Sequence, residues 1–265
     1  MKRSHLIVII VVLIISVASG YWITQTERYK NYRQMQLLDT VVYNTLHPNG
    51  YTIKLTSNYD ILGYQMNLEG EGIYSTTLYM NYLMKLNGTG VSPMTVELNQ
   101  YIDNNIQYMN INQGQWFKEP FQDQLTILDQ LSKKFKQSKF HASGDYVEII
   151  DDNERIQKIT FTLPFLESDY LTQQLIKNIT NISNEINFEK IEPVTYTVTI
   201  NKQEKQIITI EIDYTTGIQQ LINVYFPTAA TNLHFNTTIE LINIDQHLEL
   251  PEEVKTKAVN ISDLK

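Results

Sequence analysis

The chain has 265 residues, no cysteine and a formal charge of −8, from 21 Lys and Arg against 29 Asp and Glu. The absence of cysteine excludes disulfides, cysteine-ligated zinc, cysteine nucleophiles and a lipid carried on a cysteine. The acidic balance argues against nucleic acid as a partner. Seventeen tyrosines and only ten glycines favour a strand-rich protein, since aromatic residues fit a pleated surface.

The first two dozen residues have the pattern of a membrane segment. Lys2 and Arg3 precede an apolar run over residues 6–23. As a helix this run is about 27 Å long, close to the thickness of a bilayer core. Cationic residues resist translocation, so we expect a single-pass cell-membrane protein with its N-terminus inside and the bulk of the chain extracytoplasmic. The small residues ending at Gly20 offer the alternative of cleavage there and secretion.

We therefore expect an anchor or signal segment at 1–24 and one extracytoplasmic domain at 25–265, because no Pro-, Gly- or Ser-rich linker divides the remainder. Apolar residues at three- and four-residue steps predict a helix over 29–46. From Tyr51 to Leu98 the apolar residues alternate with polar ones, which predicts antiparallel strands with one buried face.

The second half of the chain is predicted to mix helices and strands. An apolar stripe marks a helix over 121–135, and a capping residue, Ser168 or Asp169, begins a third helix that runs to about 186. Residues 213–217 read as a hairpin connection with a glycine available for a positive φ angle. The predicted strands are 146–150, 156–163, 196–200, 207–214, 219–226 and 234–244.

Residue types that carry catalysis are scattered. The five histidines have no metal-ligand spacing, and the chain lacks a G-x-S-x-G nucleophile motif. The acidic run at 151–154 lacks the alternating ligands and central glycine of a calcium loop. We therefore expect no catalytic residue, no metal and no cofactor, and a protein that is not an enzyme.

Several short motifs point to a family. They are YID at 101–103, IQYM at 106–109, GQWFK at 114–118, YTVTINK at 196–202 and LELPEEV at 248–254. Together they resemble segments of Gram-positive extracytoplasmic proteins of unknown function that look like the LolA/LppX class of lipid and lipoprotein carriers. Those relatives usually carry a lipid on a cysteine that this chain lacks. Either a transmembrane anchor replaces the lipid, or the resemblance extends to the fold alone.

The resemblance spans roughly residues 30–255 and implies an α+β fold. That fold is a single, strongly curved antiparallel sheet, an incomplete LolA-like barrel, with helices across its concave face and an N-terminal membrane helix before it. The space between sheet and helices can hold an acyl chain or another apolar ligand. Alternate strand positions and the inward stripe of the helix at 121–135 would then line it. The expected ligand-binding residues are Met80, Tyr82, Met84, Leu98, Tyr108, Trp116, Leu128 and Phe135.

Two functions stay open on the sequence. The first is a membrane-attached extracytoplasmic protein that binds a hydrophobic or lipid-like ligand, with the membrane contacted through residues 6–23. The second is a structural or regulatory ectodomain that binds another cell-envelope protein and has no small-molecule ligand. An apolar pocket of a few hundred Å³ between sheet and helices would favour the first.

Overall fold

The protein is described by a computed structural model over much of its length. The described residues are 27–46, 49–61, 64–88, 90–121, 148–165, 191–225, 233–243, 245 and 247–264. Three predicted segments lie outside these ranges: the membrane segment at 6–23, the helix at 121–135 apart from Phe121, and the helix at 168–186. Within the described part, no helix is both long and apolar enough to cross a membrane.

The described residues contain a single large sheet of twelve strands. Its neighbours are antiparallel except for β12, which runs parallel to β6. The order across the sheet is β12-β6-β5-β4-β3-β2-β1-β11-β10-β9-β8-β7, so the two end strands are not paired with each other and the sheet stays open. The strands are β1 Tyr51–Ile61, β2 Tyr64–Tyr74, β3 Leu78–Gly88, β4 Val91–Asp103, β5 Ile106–Ile111, β6 Phe117–Pro120, β7 Glu148–Asp152, β8 Ile156–Leu163, β9 Val194–Asn201, β10 Gln206–Asp213, β11 His234–Asn243 and β12 Val259–Asn260.

Three helices and a short 3₁₀ turn accompany the sheet in the described part of the chain. They are α1 Glu27–Leu46, α2 Thr215–Tyr225, α3 Glu252–Lys257 and the 3₁₀ turn Ile261–Leu264. The predicted helix at 29–46 and the early strands are confirmed. In each of these stretches the spacing of the apolar residues fits one period, 3.6 for a helix or 2 for a strand, and not the other.

The main core lies between α1 and one half of the sheet. Leu38, Val41 and Val42 of α1 are almost fully buried, and they pack in one cluster with residues of β8, β9 and β10. In β9 the buried residues alternate with half-buried ones along the whole strand, as expected where one face is covered. We call the covered side the inner face of the sheet.

Polar contacts hold α1 in place on the inner face. The hydroxyl of Thr45, fully buried, donates to the Val41 carbonyl oxygen and accepts a hydrogen bond from the Ile207 amide at 3.2 Å. Gln34 and Gln157 bond to each other through their side-chain amides. A buried polar group without a partner is costly, so these pairs favour one position of the helix over its neighbours.

The structure corrects the prediction for residues 213–226. Within the segment that was expected to form a hairpin turn and a strand, Thr215–Tyr225 is the helix α2, in which Ile218 and Leu221 are buried three residues apart; residue 226 lies outside the described residues. The Asp213 carboxylate accepts a hydrogen bond at 2.8 Å from the amide of Thr215, the first helical residue. A short apolar run is compatible with either period, so the sequence alone did not separate the two structures.

Gly217 allows α2 to pack closely against Phe165 and the backbone at Glu192. Its φ angle is not positive, so the residue is not needed for a turn. A Cβ added there would lie 2.8 Å from a ring carbon of Phe165 and 3.0 Å from the Glu192 carbonyl oxygen. Phe165 is itself almost fully buried, so its ring has little room to move away.

Gly217→Ala is therefore expected to lower the free energy of unfolding, which is the opposite of the usual effect of this substitution in a helix. Replacing a helical glycine by alanine normally stabilises by about 1 kcal/mol. Here the added methyl group overpacks the contact with Phe165, and we expect a loss of about 1–3 kcal/mol in the free energy of unfolding. Urea denaturation measures it, with Thr216→Ala at an exposed position of the same helix as control. A more stable Gly217→Ala protein would contradict the close packing.

Candidate functional site

The other half of the inner face carries a groove. It has a volume of about 950 Å³ and crosses β2, β3, β4, β5 and β6. No described element covers this half as α1 covers the core half. Its lining is mostly apolar: Leu68, Leu78, Tyr82, Met84, Val96, Leu98, Gln100, Ile102, Gln107, Met109, Ile111, Glu119, Pro120 and Phe121.

Strand register places the groove on the same face as the core. Residues directly opposite each other on paired strands point to the same side. The groove residue Met84 pairs with Val96 on one side and with Leu68 on the other. The same row continues from Leu68 through Ser57 and Thr237 to the core, where it reaches Ile212 of β10. The core and the groove are therefore two parts of one continuous face.

Two glycines of β2 shape the boundary between these parts. A Cβ at Gly72 would lie 2.0 Å from the Tyr79 carbonyl oxygen, so only glycine fits there without a backbone shift. A Cβ at Gly70 would meet the Tyr82 ring at 2.9 Å. The missing side chains let Met80 and Tyr82 lie across β2, and Met80 is only 3% exposed as a result. Glycine within a strand commonly marks such a close approach.

The groove contains few polar groups. The Tyr82 hydroxyl donates to Gln100 Oε1 at 3.3 Å, and burial raises the pKa of Tyr82 to about 12. Gln107 Nε2 donates to the sulfur of Met109. Glu119 lies opposite Gln107 in the sheet and is the one charged residue among the described lining residues.

The structure divides the predicted ligand-binding residues into groups. Tyr82, Met84 and Leu98 line the groove, and Met80 lies on the same face, opposite Gln100. Leu128 and Phe135 lie outside the described residues. A role in ligand binding stays a prediction for all of these residues.

Tyr108 and Trp116 lie on the opposite, outer face of the sheet, away from the groove. Tyr108 pairs with Tyr101, which pairs with Tyr79, and the side chains of all three point to the opposite side of the sheet from those of the groove residues. Tyr108 is buried in a second small core with Val254 and Ala258 of the C-terminal segment. The Trp116 ring packs at 5.7 Å from the ring of Tyr101. These aromatic residues therefore attach the C-terminal segment to the sheet and do not line the groove.

Several lining residues were not predicted. Leu68 and Val96 lie opposite Met84 on the neighbouring strands, so their side chains point to the same face as that of Met84. Assigning Met109 and Ile111 to the groove requires knowledge of the register across the β4–β5 hairpin, in which Leu98 pairs with Ile111. The signal for that register is the Asn104-Asn105 turn, whose two residues both have positive φ angles, of 48° and 61°. Such a two-residue turn fixes the pairing of its strands.

A row of polar side chains crosses the outer face beside the aromatic cluster. Asn81 Nδ2 donates to Glu97 Oε1 at 2.8 Å and to Asn99 Oδ1 at 2.9 Å, and Asn99 Nδ2 donates to Asn110 Oδ1 at 3.2 Å. The hydrogen bond from Asn81 is the largest influence that lowers the pKa of the Glu97 carboxyl group. Because these groups bond to one another, we interpret the row as structural.

Residues that could hold a metal ion are not grouped in the described part of the chain. No set of three or more His, Asp or Glu side chains there has the required proximity. The groove therefore offers apolar contact and a few hydrogen bonds as its chemistry.

Comparisons with known proteins give likenesses of fold at low similarity. No protein-family model matches the sequence, and no match is found among curated proteins. The structure of LprF from Mycobacterium bovis is similar at 12% identity and a TM-score of 0.42, covering 82% of this chain and 95% of that chain. A beta-barrel-like protein of domain of unknown function DUF1849 from Brucella abortus is similar at 8% identity and a TM-score of 0.27, covering 73% and 95%. With TM-scores this low, function has to be argued from the groove itself.

Tyr82→Phe tests the burial of the phenol at the groove. The pKa of Tyr82 is about 12 in the folded chain against an ordinary value of 10.0, so between these values the folded state keeps a proton that the unfolded state has lost. This contribution to stability is fully present below about pH 10 and is lost as the pH rises through about 12. We expect the free energy of unfolding of Tyr82→Phe to fall less steeply over that range, by up to about 1.4 kcal/mol per pH unit. Urea unfolding at several pH values measures the slope, and equal slopes would show a solvated phenol.

Proposed function

We propose that the chain is a binding protein, without catalytic activity, for a hydrophobic or lipid-like molecule held in the groove. The observation that supports this is the hollow of about 950 Å³ on the inner face, with an apolar lining drawn from five neighbouring strands. Pockets of this size and character are typical of small-molecule sites.

The lining suits a ligand of variable shape. Met84 and Met109 supply flexible, polarisable side chains that adapt to irregular apolar surfaces. Ile111 is 56% exposed on the groove side, so a ligand that covers it gains free energy from the removal of apolar surface from water. Each methylene group buried on binding contributes about 0.8 kcal/mol, so an alkyl chain reaches micromolar affinity, about −8 kcal/mol, with partial burial.

Three finer inferences accompany this function. We infer that the sheet is a strongly curved, incomplete barrel of the LolA-like type, which is consistent with its open ends and its inner hollow. We propose that the domain is extracytoplasmic and attached to a membrane through residues 6–23, on the pattern of charge and hydropathy there. The lack of enzymatic activity rests on the scattered distribution of catalytic residue types in the sequence.

Met84→Trp tests the groove as the binding site. A larger side chain at the floor should fill the space and weaken binding of N-phenyl-1-naphthylamine, a neutral dye that fluoresces in apolar surroundings, at least tenfold. The dye is titrated into the purified full-length chain and excited beyond tryptophan absorption. Thr95→Trp is the matched control, since Thr95 is exposed on the outer face of β4 and should leave binding unchanged. Equal loss in both variants, or no binding to the parent chain, would contradict the proposal.

A series of n-alcohols that compete with the dye distinguishes an alkyl ligand from a protein partner. If the groove accepts an alkyl chain, each added methylene should tighten binding by about 0.8 kcal/mol, roughly fourfold, until the groove is full. Affinities that do not depend on chain length would argue that the groove is a surface for a protein segment. That result would favour the envelope-protein alternative.

A further inference from the structure

The polar residues of the groove are gathered at one end. Gln107 and Glu119 lie directly opposite each other, in the row of the inner face next to the β4–β5 turn. Gln100 lies one row further along, opposite Met109. The rows beyond are apolar except for the Tyr82 hydroxyl, which is directed back to Gln100.

The apolar rows form a track away from that end. After Gln100 comes the row of Leu98 and Ile111, and then the row of Met84 and Val96. Same-face rows are about 7 Å apart along a strand, so the distance from the row of Glu119 to the row of Met84 is roughly 20 Å. A ligand that fits this arrangement is an elongated amphiphile, with its polar end at Glu119 and its chain along the apolar rows.

The polar end is suited to accept hydrogen bonds. In the described part of the chain, the half-buried Glu119 carboxylate has no hydrogen-bond or ion-pair partner. An ionised carboxylate is an acceptor only, whereas the glutamine amides can donate or accept. A carboxylate or phosphate at this end would face a like charge, which is costly where water is partly excluded.

From this juxtaposition we infer that the groove selects single-chain amphiphiles whose polar end is a hydroxyl or an ammonium group, and discriminates against anionic ones. The inference rests on the proposed function and names its ligand class. Glu119 is the specificity-determining residue, because it would accept a hydrogen bond from the hydroxyl or ammonium group. Its charge is unfavourable to a fatty-acid carboxylate of the same chain length.

Competition among three ligands with the same dodecyl chain tests the inference. Dodecylammonium, 1-dodecanol and dodecanoate each displace N-phenyl-1-naphthylamine from the full-length chain at pH 8, below their micelle concentrations. We expect dodecylammonium and 1-dodecanol to bind at least tenfold more tightly than dodecanoate. Glu119→Gln should reduce this difference to less than threefold, chiefly through tighter binding of dodecanoate.

Glu71→Gln is the control for net charge. Glu71 is exposed on the outer face and lies opposite Lys54 and Asn81, so the substitution changes the total charge equally but at a distance from the groove. It should leave the order of the three ligands unchanged. A dodecanoate affinity in the parent chain equal to that of 1-dodecanol, or an equal response to both substitutions, would overturn the inference.

The two levels of the proposal fail in different ways. If the dye does not bind the parent chain, or if Met84→Trp does not weaken its binding, the proposal that the groove is the binding site is rejected. If the dye binds there and the three dodecyl ligands compete equally, the groove binds alkyl chains and the selection by Glu119 is rejected.

Discussion

The pairing of β1 with β11 is the constraint on which the rest of the structure depends. It joins two antiparallel meanders, β1–β6 and β7–β11, into one sheet through ten opposed residue pairs. At its centre the buried hydroxyls of Ser57 and Thr237 bond to each other at 2.8 Å. A slip of one residue at this seam would turn the inner side chains of one meander to the outside. The seam closes a separation of about 180 residues in sequence, so it forms against a large loop-closure entropy and is expected to be slow.

With the seam in register, the two halves of the inner face differ in what covers them. On β8–β10 the side chains are large, aliphatic and fully buried under α1, as with Ile159 and Val198. On β3–β5 comparable side chains are only half-buried among the described residues. Gly70 and Gly72 lie at the transition and let Met80 and Tyr82 bridge it. One continuous apolar face thus packs into the core on one side of β2 and, among the described residues, lines the groove on the other.

The sequence predicted the strands well where the period was two and the run was long. Leu78 to Leu86 is such a stretch, and it is β3. It was harder to predict which side chains of each strand point to the inner face, because this depends on how the strand pairs with its neighbours. Tyr108 was grouped with Leu98 because both are apolar residues of neighbouring strands. The Asn104-Asn105 turn sets a register that opposes Leu98 to Ile111 and places Tyr108 outside. The strand prediction was wrong for residues 219–225, which belong to a helix. The hydrogen bond from the Thr215 amide to Asp213 is local and was an overlooked sign of a helix start, whereas the packing of Gly217 against Phe165 is a tertiary contact that the sequence does not reveal.

The C-terminal segment has a consequence for the order of events during synthesis. Val259 and Asn260 pair in parallel with β6, and Val254 and Ala258 pack on Tyr108 of the outer face. An uncovered strand edge is a template for pairing with other chains. β6 is synthesised about 140 residues before the segment that covers its edge. The growing chain therefore carries β6 without its β12 partner while about 140 further residues are made, and this protection against strand-to-strand aggregation arrives long after the strand that it covers.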